Sequence, residues 1–224
     1  GVVGNHLFGN VKEGGRIDTL KLVETYRKYL QENNWIRFEK FNHKDILFEN
    51  TSVKYHSLEA AKIIFCEGFG LKKNPYFNHL PLEEVKGEII TILAPKLEID
   101  FLLKSTLFVL PLGNNHYKVG ATFNHKDKTS IPSKEGKEEL IEKLKKVITV
   151  PYSIVEQSAG IRPAVKDRRP MVGVHAKHKQ LSVLNGLGTR GVMIAPTVAK
   201  NLFHHLEDDE ALDQEIDIKR FEKK

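Results

Sequence analysis

The residues best suited to chemistry in this 224-residue chain lie between Gly160 and Met193. Arg162 stands between a Gly-Ile pair and a proline, and its guanidinium group can bind both oxygens of a carboxylate at once. Further along, the glycine-rich run Gly186–Gly191 (G-L-G-T-R-G) lies between an apolar stretch and a helix-like segment. Backbone N–H groups at the start of a helix attract negative charge. Together the two motifs predict a site for an anionic or electron-rich ligand.

Arg162 also has a purely structural interpretation. Asp167 follows it closely in the sequence, and an ion pair between these two side chains would serve only the fold. The residues alone leave both interpretations open, the ligand site and the structural ion pair.

The run Gly186–Gly191 matches the G-x-G-x-x-G pattern of dinucleotide-binding turns letter for letter. That pattern indicates a nucleotide when a second strand ends in an acidic residue about 20 residues later, where the carboxylate binds the ribose. Here the acidic run Glu207–Glu210 follows the helix-like segment directly. We therefore expect no free-standing nucleotide-binding unit, although glycines still let a ligand approach the backbone closely.

Two pairs of histidines raise the question of a metal site. His175 and His178 are three positions apart, and His204 and His205 are adjacent. We find no cysteine or carboxylate partner for them at the spacing of a zinc site. We therefore expect surface histidines and no bound metal.

The composition is typical of a globular protein and argues against several classes of function. Hydrophobic residues make up 40% of the chain and charged residues 29%. The net charge is +6, but basic and acidic residues are mixed, as in Lys134–Lys146, so we expect no nucleic-acid surface. No apolar run reaches the roughly 18 residues of a membrane span.

The single cysteine favours a reducing compartment, and we predict a cytoplasmic protein. Cys66 ends the apolar run 63–66, which predicts a small buried side chain rather than a nucleophile. No secretory leader is recognisable, and the chain starts with glycine in what resembles the middle of a fold. We therefore expect a processed or truncated chain.

Periodicity predicts the elements that must position these motifs. Helices are expected over 19–31, 134–147 and 196–206, with Pro196 at the first helical position. Strands are expected over 35–41, 46–49, 53–56, 61–66, 87–93, 107–110, 117–122 and 181–185. The order of α/β, antiparallel β and again α/β predicts a discontinuous domain with another domain inserted into it.

Six segments in this order resemble signatures of flavin-dependent oxidoreductases of the D-amino-acid oxidase and glycine oxidase family. They are G-G-R-I-D-T-L-K-L-V, I-I-F-C-E-G-F-G, V-K-G-E-I-I-T-I, Y-K-V-G-A-T-F, G-I-R-P-A-V-K-D-R-R-P-M-V-G and G-L-G-T-R-G-V-M-I-A-P. The resemblance implies a mixed α/β fold. In it, part of a Rossmann-like FAD-binding domain is interleaved with an antiparallel-sheet substrate domain.

The resemblance also implies domain boundaries. Residues 1–18 would form a strand and turn of the substrate domain, 19–78 part of the FAD-binding domain, 79–150 the antiparallel substrate domain, and 151–224 the return to the FAD-binding domain. The family's N-terminal nucleotide-binding strand, glycine turn and ribose-binding acid have no counterpart here. We therefore expect this chain alone to bind FAD weakly or not at all.

Residue roles follow from the same resemblance. Arg162 matches the arginine that binds the substrate carboxylate, and Gly68 matches a turn that faces the cofactor. The loop that passes the flavin ring corresponds to Gly186, Leu187, Gly188, Thr189, Arg190, Gly191, Val192 and Met193. The implied reaction is hydride transfer from the C–N bond of an amino acid or related amine to the flavin, with no catalytic side chain assigned.

Phe108 departs from the family pattern, because amino-acid oxidases often have a tyrosine at this substrate-binding position. Two alternatives to a small-molecule amine oxidase stay open. One is an FAD-dependent module that oxidises a carboxymethylaminomethyl group on tRNA wobble uridine, which G-T-R-G resembles and which would need a basic surface. The other is a non-catalytic binding domain of the same fold.

Overall fold

The described chain, residues 1–3 and 9–222 of a computed structural model, contains three α-helices and eleven strands. The helices are α1 (Thr19–Glu32), α2 (Lys134–Lys145) and α3 (Gly191–Glu207). The strands are β1 (Ile46–Phe48), β2 (Val53–Tyr55), β3 (Leu58–Ala60), β4 (Ile63–Phe65), β5 (Leu82–Leu93), β6 (Leu103–Lys104), β7 (Phe108–Gly113), β8 (His116–Gly120), β9 (Ser153–Val165), β10 (Met171–Val174) and β11 (Leu181–Asn185). This mixture confirms the predicted α/β class.

The chain divides into two units, each built from two separate stretches of sequence. The first unit comprises Gly1–Phe8 and Leu82–Arg168, and the second comprises Gly9–Pro81 and Arg169–Lys224. The first unit therefore continues to residue 168, whereas the expected boundary lay at residue 150. The difference arises because β9, which the sequence analysis did not predict, pairs with β5 along its length.

The first unit is built on a five-stranded antiparallel sheet in the order β6-β7-β8-β5-β9. Successive side chains of a strand point to opposite faces, so the even-numbered residues of β5 share one face. On that face Ile90 packs against Val119 of β8, and Leu140 and Leu144 of α2 cover them. The apolar core of the first unit therefore lies between the sheet and α2.

A buried ionic network lies on the same face of β5. The Nζ of Lys86 lies 2.6 Å from Asp127 Oδ2 and 3.3 Å from Glu88 Oε1, and it donates to the carbonyl oxygen of Ile131. Ser133, the N-cap residue of α2, donates to both oxygens of Glu88 through its backbone N–H and its hydroxyl group. The network thus attaches the segment 127–133, which precedes α2, to strand β5.

The pKa values of these carboxyl groups reflect the network. Burial alone would raise the pKa of Glu88, but hydrogen bonds from Ser133, Gln157 and Lys86 outweigh it and lower the pKa. The hydrogen bond from Lys86 lowers the pKa of Asp127 to about 2, with further help from Thr129. Both carboxyl groups are therefore ionised at neutral pH.

The second unit contains two small sheets and α3. One sheet has the order β1-β2-β3, and the other has the order β10-β11-β4, in which β11 and β4 are parallel. Val198 and Leu202 of α3 pack against Val172 of β10 in a second core. No helix in the described residues is both long enough and apolar enough to cross a membrane.

Local sequence signals placed some elements well and others badly. Helix α1 begins at the predicted residue, Thr19, because the side chain of Asp18 accepts from the Lys21 backbone N–H and so caps the helix. Strand β11 has the predicted bounds. Residues 35–41 form no strand, because Trp35 N–H donates to the Leu30 carbonyl and the chain folds back on the end of α1. The predicted strand over 35–41 was therefore wrong.

The start of α3 was also predicted incorrectly. The helix begins at Gly191, so Pro196 lies inside it and not at the first helical position. Its first turn forms because the N–H groups of Met193 and Ile194 both donate to the Arg190 carbonyl oxygen. As a result, the end of the glycine-rich run belongs to the helix itself.

We predict that Glu88→Gln destabilises the first unit by about 1–3 kcal/mol. The amide NH2 group that replaces one carboxylate oxygen is a donor, and it would face the donors of Ser133 and Gln157. The urea midpoint measures the loss. The matched control is Glu138→Gln on the surface of α2, where Lys134 lies 3.8 Å away, and it should change stability by less than about 0.5 kcal/mol.

The same pair of proteins gives a test by pH. Because the folded chain lowers the pKa of Glu88, the stabilisation is complete above the ordinary carboxyl pKa and is lost as pH falls through the folded value. The stability difference between the wild type and Glu88→Gln should therefore shrink from neutral to acid pH. A difference that does not change with pH would contradict this account of the network.

Candidate functional site

The open face of the first unit's sheet, opposite α2, brings together the two predicted substrate-binding residues. Arg162 of β9 pairs with Val85 of β5, and Phe108 of β7 pairs with Gly120 of β8. Gly120 in turn pairs with Ile89 of β5. Directly paired residues point to the same face of a sheet, and the odd-numbered residues of β5 face away from α2. Arg162 and Phe108 therefore share one surface.

The guanidinium group of Arg162 lies over Gly87, its diagonal neighbour on β5. A Cβ atom built on Gly87 would overlap the guanidinium nitrogens, well inside the 3.0 Å that real Cβ atoms keep. Nη1 donates to the Thr122 carbonyl oxygen at 3.1 Å, and Cζ lies 4.6 Å from the centre of the Phe123 ring. Three neighbours thus hold the guanidinium group of Arg162 over β5.

No carboxylate among the described residues neutralises the charge of Arg162. Burial lowers the pKa of Arg162, but a guanidinium group stays protonated at neutral pH. Within residues 1–3 and 9–222, no carboxylate lies in ion-pair distance of it, so the structural ion pair with Asp167 does not form. The reason is that Arg162 extends across the sheet toward β5. A half-buried cation without a carboxylate is a candidate anion-binding group.

Phe108 lies over a second glycine of the same face. A Cβ built on Gly120 would lie 3.0 Å from the Phe108 ring and 2.5 Å from Cγ2 of Ile89. Gly87 and Gly120 lie on adjacent strands two residues out of register, so their Cα atoms are about 8 Å apart. Sequence reasoning missed Ile89, although its place in the alternation of β5 was a usable signal. The face therefore has a cationic part and an apolar part.

The predicted flavin loop lies in the second unit. Gly186 and Gly188 have φ values of 72° and 58°, which favour glycine, and the loop leads directly into α3. The first turn of α3 has no acidic residue and no side-chain cap. Its first N–H groups, at Gly191 and Val192, have no partner within the helix and carry the positive end of the helix dipole.

Asn185 connects this loop to the other predicted cofactor turn of the second unit. Its side chain is buried, its Nδ2 donates to the Gly68 carbonyl at 2.9 Å, and its Oδ1 accepts from the Gly186 N–H at 2.8 Å. Gly68 itself has a φ of 57°, and a Cβ built on it would meet no described atom within 4 Å. The structure therefore brings Gly68 and Gly186 together, and sequence reasoning missed the residue that does so.

Two expectations about reactive side chains were wrong. Cys66 is exposed and not buried, because it follows β4, the outer strand of its sheet in the described residues, on the same side as the exposed Ile64. His204 does have a carboxylate partner, since its Nδ1 lies 2.6 Å from Asp208 Oδ2 just beyond α3. Glu210 brings a further oxygen to this mainly exposed group, to which we assign no metal.

Comparison with known proteins identifies the family. A family model described as FAD dependent oxidoreductase (DAO) matches residues 7–204. The chain therefore belongs to this family, and the resemblance seen in the six segments is confirmed.

Individual relatives differ in name and length. A tRNA 5-methylaminomethyl-2-thiouridine biosynthesis bifunctional protein MnmC of Idiomarina loihiensis is 29% identical over 131 residues, 55% of this chain and 21% of that protein. Glycine oxidase of Bacillus subtilis is 23% identical over 189 residues, 78% of this chain and 51% of the enzyme. The structure of L-proline dehydrogenase from P. horikoshii superposes with a TM-score of 0.72 at 15% identity, covering 91% of this chain and 60% of that one. The chain thus spans only part of each relative.

We predict that Asn185→Ala loosens the two glycine turns and destabilises the second unit by about 1–3 kcal/mol, because it leaves buried backbone groups without partners. Amide hydrogen exchange measures the local effect, and exchange at Gly186 should become faster. The matched control is Asn201→Ala on the exposed side of α3, which should leave both exchange and stability nearly unchanged. Unchanged protection at Gly186 in Asn185→Ala would contradict the connecting role.

Proposed function

We propose that this chain provides the substrate-binding surface of an FAD-dependent oxidoreductase that oxidises the C–N bond of an amino acid or related amine. The observation that supports this most strongly is Arg162, a half-buried cation without a carboxylate partner in the described residues. Membership of the FAD dependent oxidoreductase family supports the class of reaction. A cytoplasmic location, which the single cysteine indicated, belongs to the same proposal.

Arg162 would bind the carboxylate of the substrate. Of the five N–H donors of an arginine, one is used by the Thr122 carbonyl oxygen, so donors remain for a two-point bond to a carboxylate. The side chains of Ile89 and Phe108, which share this face of the sheet with Arg162, would contact the apolar part of the substrate.

The second unit has residues that fit the ring end of a flavin. The uncapped first turn of α3 has no acidic side chain that would repel an electron-rich ring, and it would stabilise negative charge there. A Cβ built on Gly188 would meet no described atom within 4 Å, so a ligand can approach the backbone at that point. The loop Gly186–Met193 and Gly68 would therefore hold the ring. Bound flavin supplies the hydride acceptor for oxidation of the C–N bond.

A second candidate is the tRNA-modifying module, and the relatives named MnmC favour it. A carboxymethylaminomethyl group also contains a carboxylate beside an amine, so Arg162 would bind it in the same way. The two candidates differ in what surrounds that group, a free small molecule or an RNA. The net charge of +6 is compatible with either.

We predict that Arg162→Ala lowers kcat/KM of the FAD-loaded protein roughly 30- to 1,000-fold for carboxylate-bearing amines, such as glycine and N-methylglycine. This factor corresponds to a loss of about 2–4 kcal/mol of binding free energy in the transition state. The loss follows from removing a charged anchor at a half-buried position. Peroxide release or flavin reduction measures it. Amines without a carboxylate should show little change, and the exposed Arg37→Ala is the matched control.

The substrate panel separates the candidates. Oxidation of free amino acids supports the first proposal, and oxidation that requires tRNA supports the second. An unchanged kcat/KM in Arg162→Ala refutes the carboxylate-binding role. Because we expect this chain alone to bind FAD weakly or not at all, the panel is run on the full-length gene product. If that protein neither binds flavin nor oxidises any member of the panel, the non-catalytic binding domain is the correct interpretation.

A further inference from the structure

We propose that Gly87 is a positioning residue for Arg162. Because Gly87 has no side chain, it leaves a space on β5 that the guanidinium group occupies, and we call this space the seat. The seat sets the direction in which the guanidinium group points its donors toward a carboxylate. The inference rests on the proposed carboxylate-binding role of Arg162 and adds a specificity-determining residue to that site. Gly87 lies in V-K-G-E-I-I-T-I, one of the six segments that resemble the family, but neither that resemblance nor the comparisons give it a role.

Position 87 requires glycine because a side chain there would occupy the space of the Arg162 guanidinium group. Gly87 does not have a positive φ, so the backbone there would accept any residue. Every one of the three atoms nearest to a Cβ built on Gly87 belongs to the Arg162 guanidinium group, and each is closer than real Cβ atoms come to a neighbour. The guanidinium group therefore occupies the place that a side chain of residue 87 would take.

Gly87 acts together with two neighbours of the guanidinium group. The Phe123 ring lies 4.6 Å from Cζ of Arg162, and the Thr122 carbonyl oxygen accepts from Nη1. A planar guanidinium group fits such a combination of backbone and ring, whereas a lysine ammonium group does not. Removing the space at position 87 would force the group away from both partners.

The seat is rigid because the residue after Gly87 holds Thr122. The N–H of Glu88 donates to Thr122 Oγ1 at 2.9 Å, and the Thr122 N–H donates to the Glu88 carbonyl at 3.1 Å. On the other face of β5, Lys86 and Glu88 are fixed by the buried ionic network. The residues on both sides of Gly87 are therefore anchored, and the seat cannot shift to make room for a side chain.

The chain contains a matched control for this proposal. Gly160 of β9 pairs directly with Gly87, so the two glycines occupy equivalent positions on adjacent strands and point to the same face. A Cβ built on Gly160 would meet no described atom within 4 Å. An alanine at position 160 therefore adds the same methyl group to the directly paired position without touching the guanidinium group.

The first measurement is made without substrate or cofactor. In 15N-labelled protein, the Nε–Hε NMR signal of Arg162 is assigned by its loss in Arg162→Ala. We expect Gly87→Ala to shift this signal, because the guanidinium group leaves the Phe123 ring and the Thr122 carbonyl. Gly160→Ala should leave the signal in place. An unchanged signal in Gly87→Ala would overturn the inference, whatever the substrate of the protein.

The second measurement is a titration with glycolate, a small carboxylate that contains no amine. We expect Gly87→Ala to raise the Kd for glycolate by at least about ten-fold, because small displacements of a binding group have large effects on affinity, and Gly160→Ala to change it by less than about two-fold. In the Arg162→Ala background, Gly87→Ala should have no further effect. An equal loss in both backgrounds would show that Gly87 acts otherwise than through Arg162 and would overturn the inference.

The two measurements separate this inference from the proposed function. If Gly87→Ala shifts the Arg162 signal but the wild type does not bind glycolate, the seat exists and the carboxylate-binding role is refuted. If wild-type binding depends on Arg162 but not on Gly87, the role stands and the seat is refuted. Should Gly87→Ala alone fail to fold, the double variant Gly87→Ala/Arg162→Ala should fold, and failure of both would also overturn the inference.

Discussion

The arrangement of the first unit depends on the pairing of β5 with β8 on one side and β9 on the other. The even-numbered residues of β5 face α2 and include the buried Lys86 and Glu88, and the odd-numbered residues form the open face with Gly87 and Ile89. A shift of one residue in this register would exchange the two faces. Such an exchange would move the charged side chains of Lys86 and Glu88 to the open face and would put apolar side chains in their buried positions. The buried ionic network could then not form. The register that satisfies Lys86 therefore also places Gly87 beneath Arg162.

The two cations of this sheet illustrate how differently a protein can treat buried positive charge. Lys86 is fully buried, and two carboxylates and a carbonyl oxygen satisfy it. Arg162 is half-buried, and among the described residues its guanidinium group contacts a carbonyl oxygen and an aromatic ring but no carboxylate. Burial of a charge without a partner opposes folding. A protein therefore retains such a charged group at a site where a ligand supplies the missing partner. This contrast, rather than the presence of an arginine as such, distinguishes Arg162 as the candidate anion-binding group of the sheet.

Local sequence signals predicted the elements whose stability is local. Asp18 caps α1, and the segment Leu181–Asn185 forms β11 within its predicted bounds. The signals failed where distant residues decide the structure. Strand β9 contains Gly160 and Pro163, and its pairing with β5 is irregular near Thr91. Its sequence pattern therefore resembles that of a loop, and only the pairing with β5 identifies it as a strand. The aromatic alternation of residues 35–41 indicated a strand, but Trp35 contacts Tyr29 at the end of α1 instead.

The sequence by itself determined the family, the α/β class and the two candidate ligand-binding motifs, Arg162 and Gly186–Gly191, because these depend on residue types in a fixed order. It also showed that the chain has a guanidinium group suited to a carboxylate. Only the tertiary structure decided that Asp167 does not neutralise this group, that Ile89 and Phe108 share its surface, and that Gly87 provides its seat. The physical reason is that strand pairing brings together residues that are far apart in the sequence, and neither composition nor periodicity specifies which glycine lies beneath which side chain.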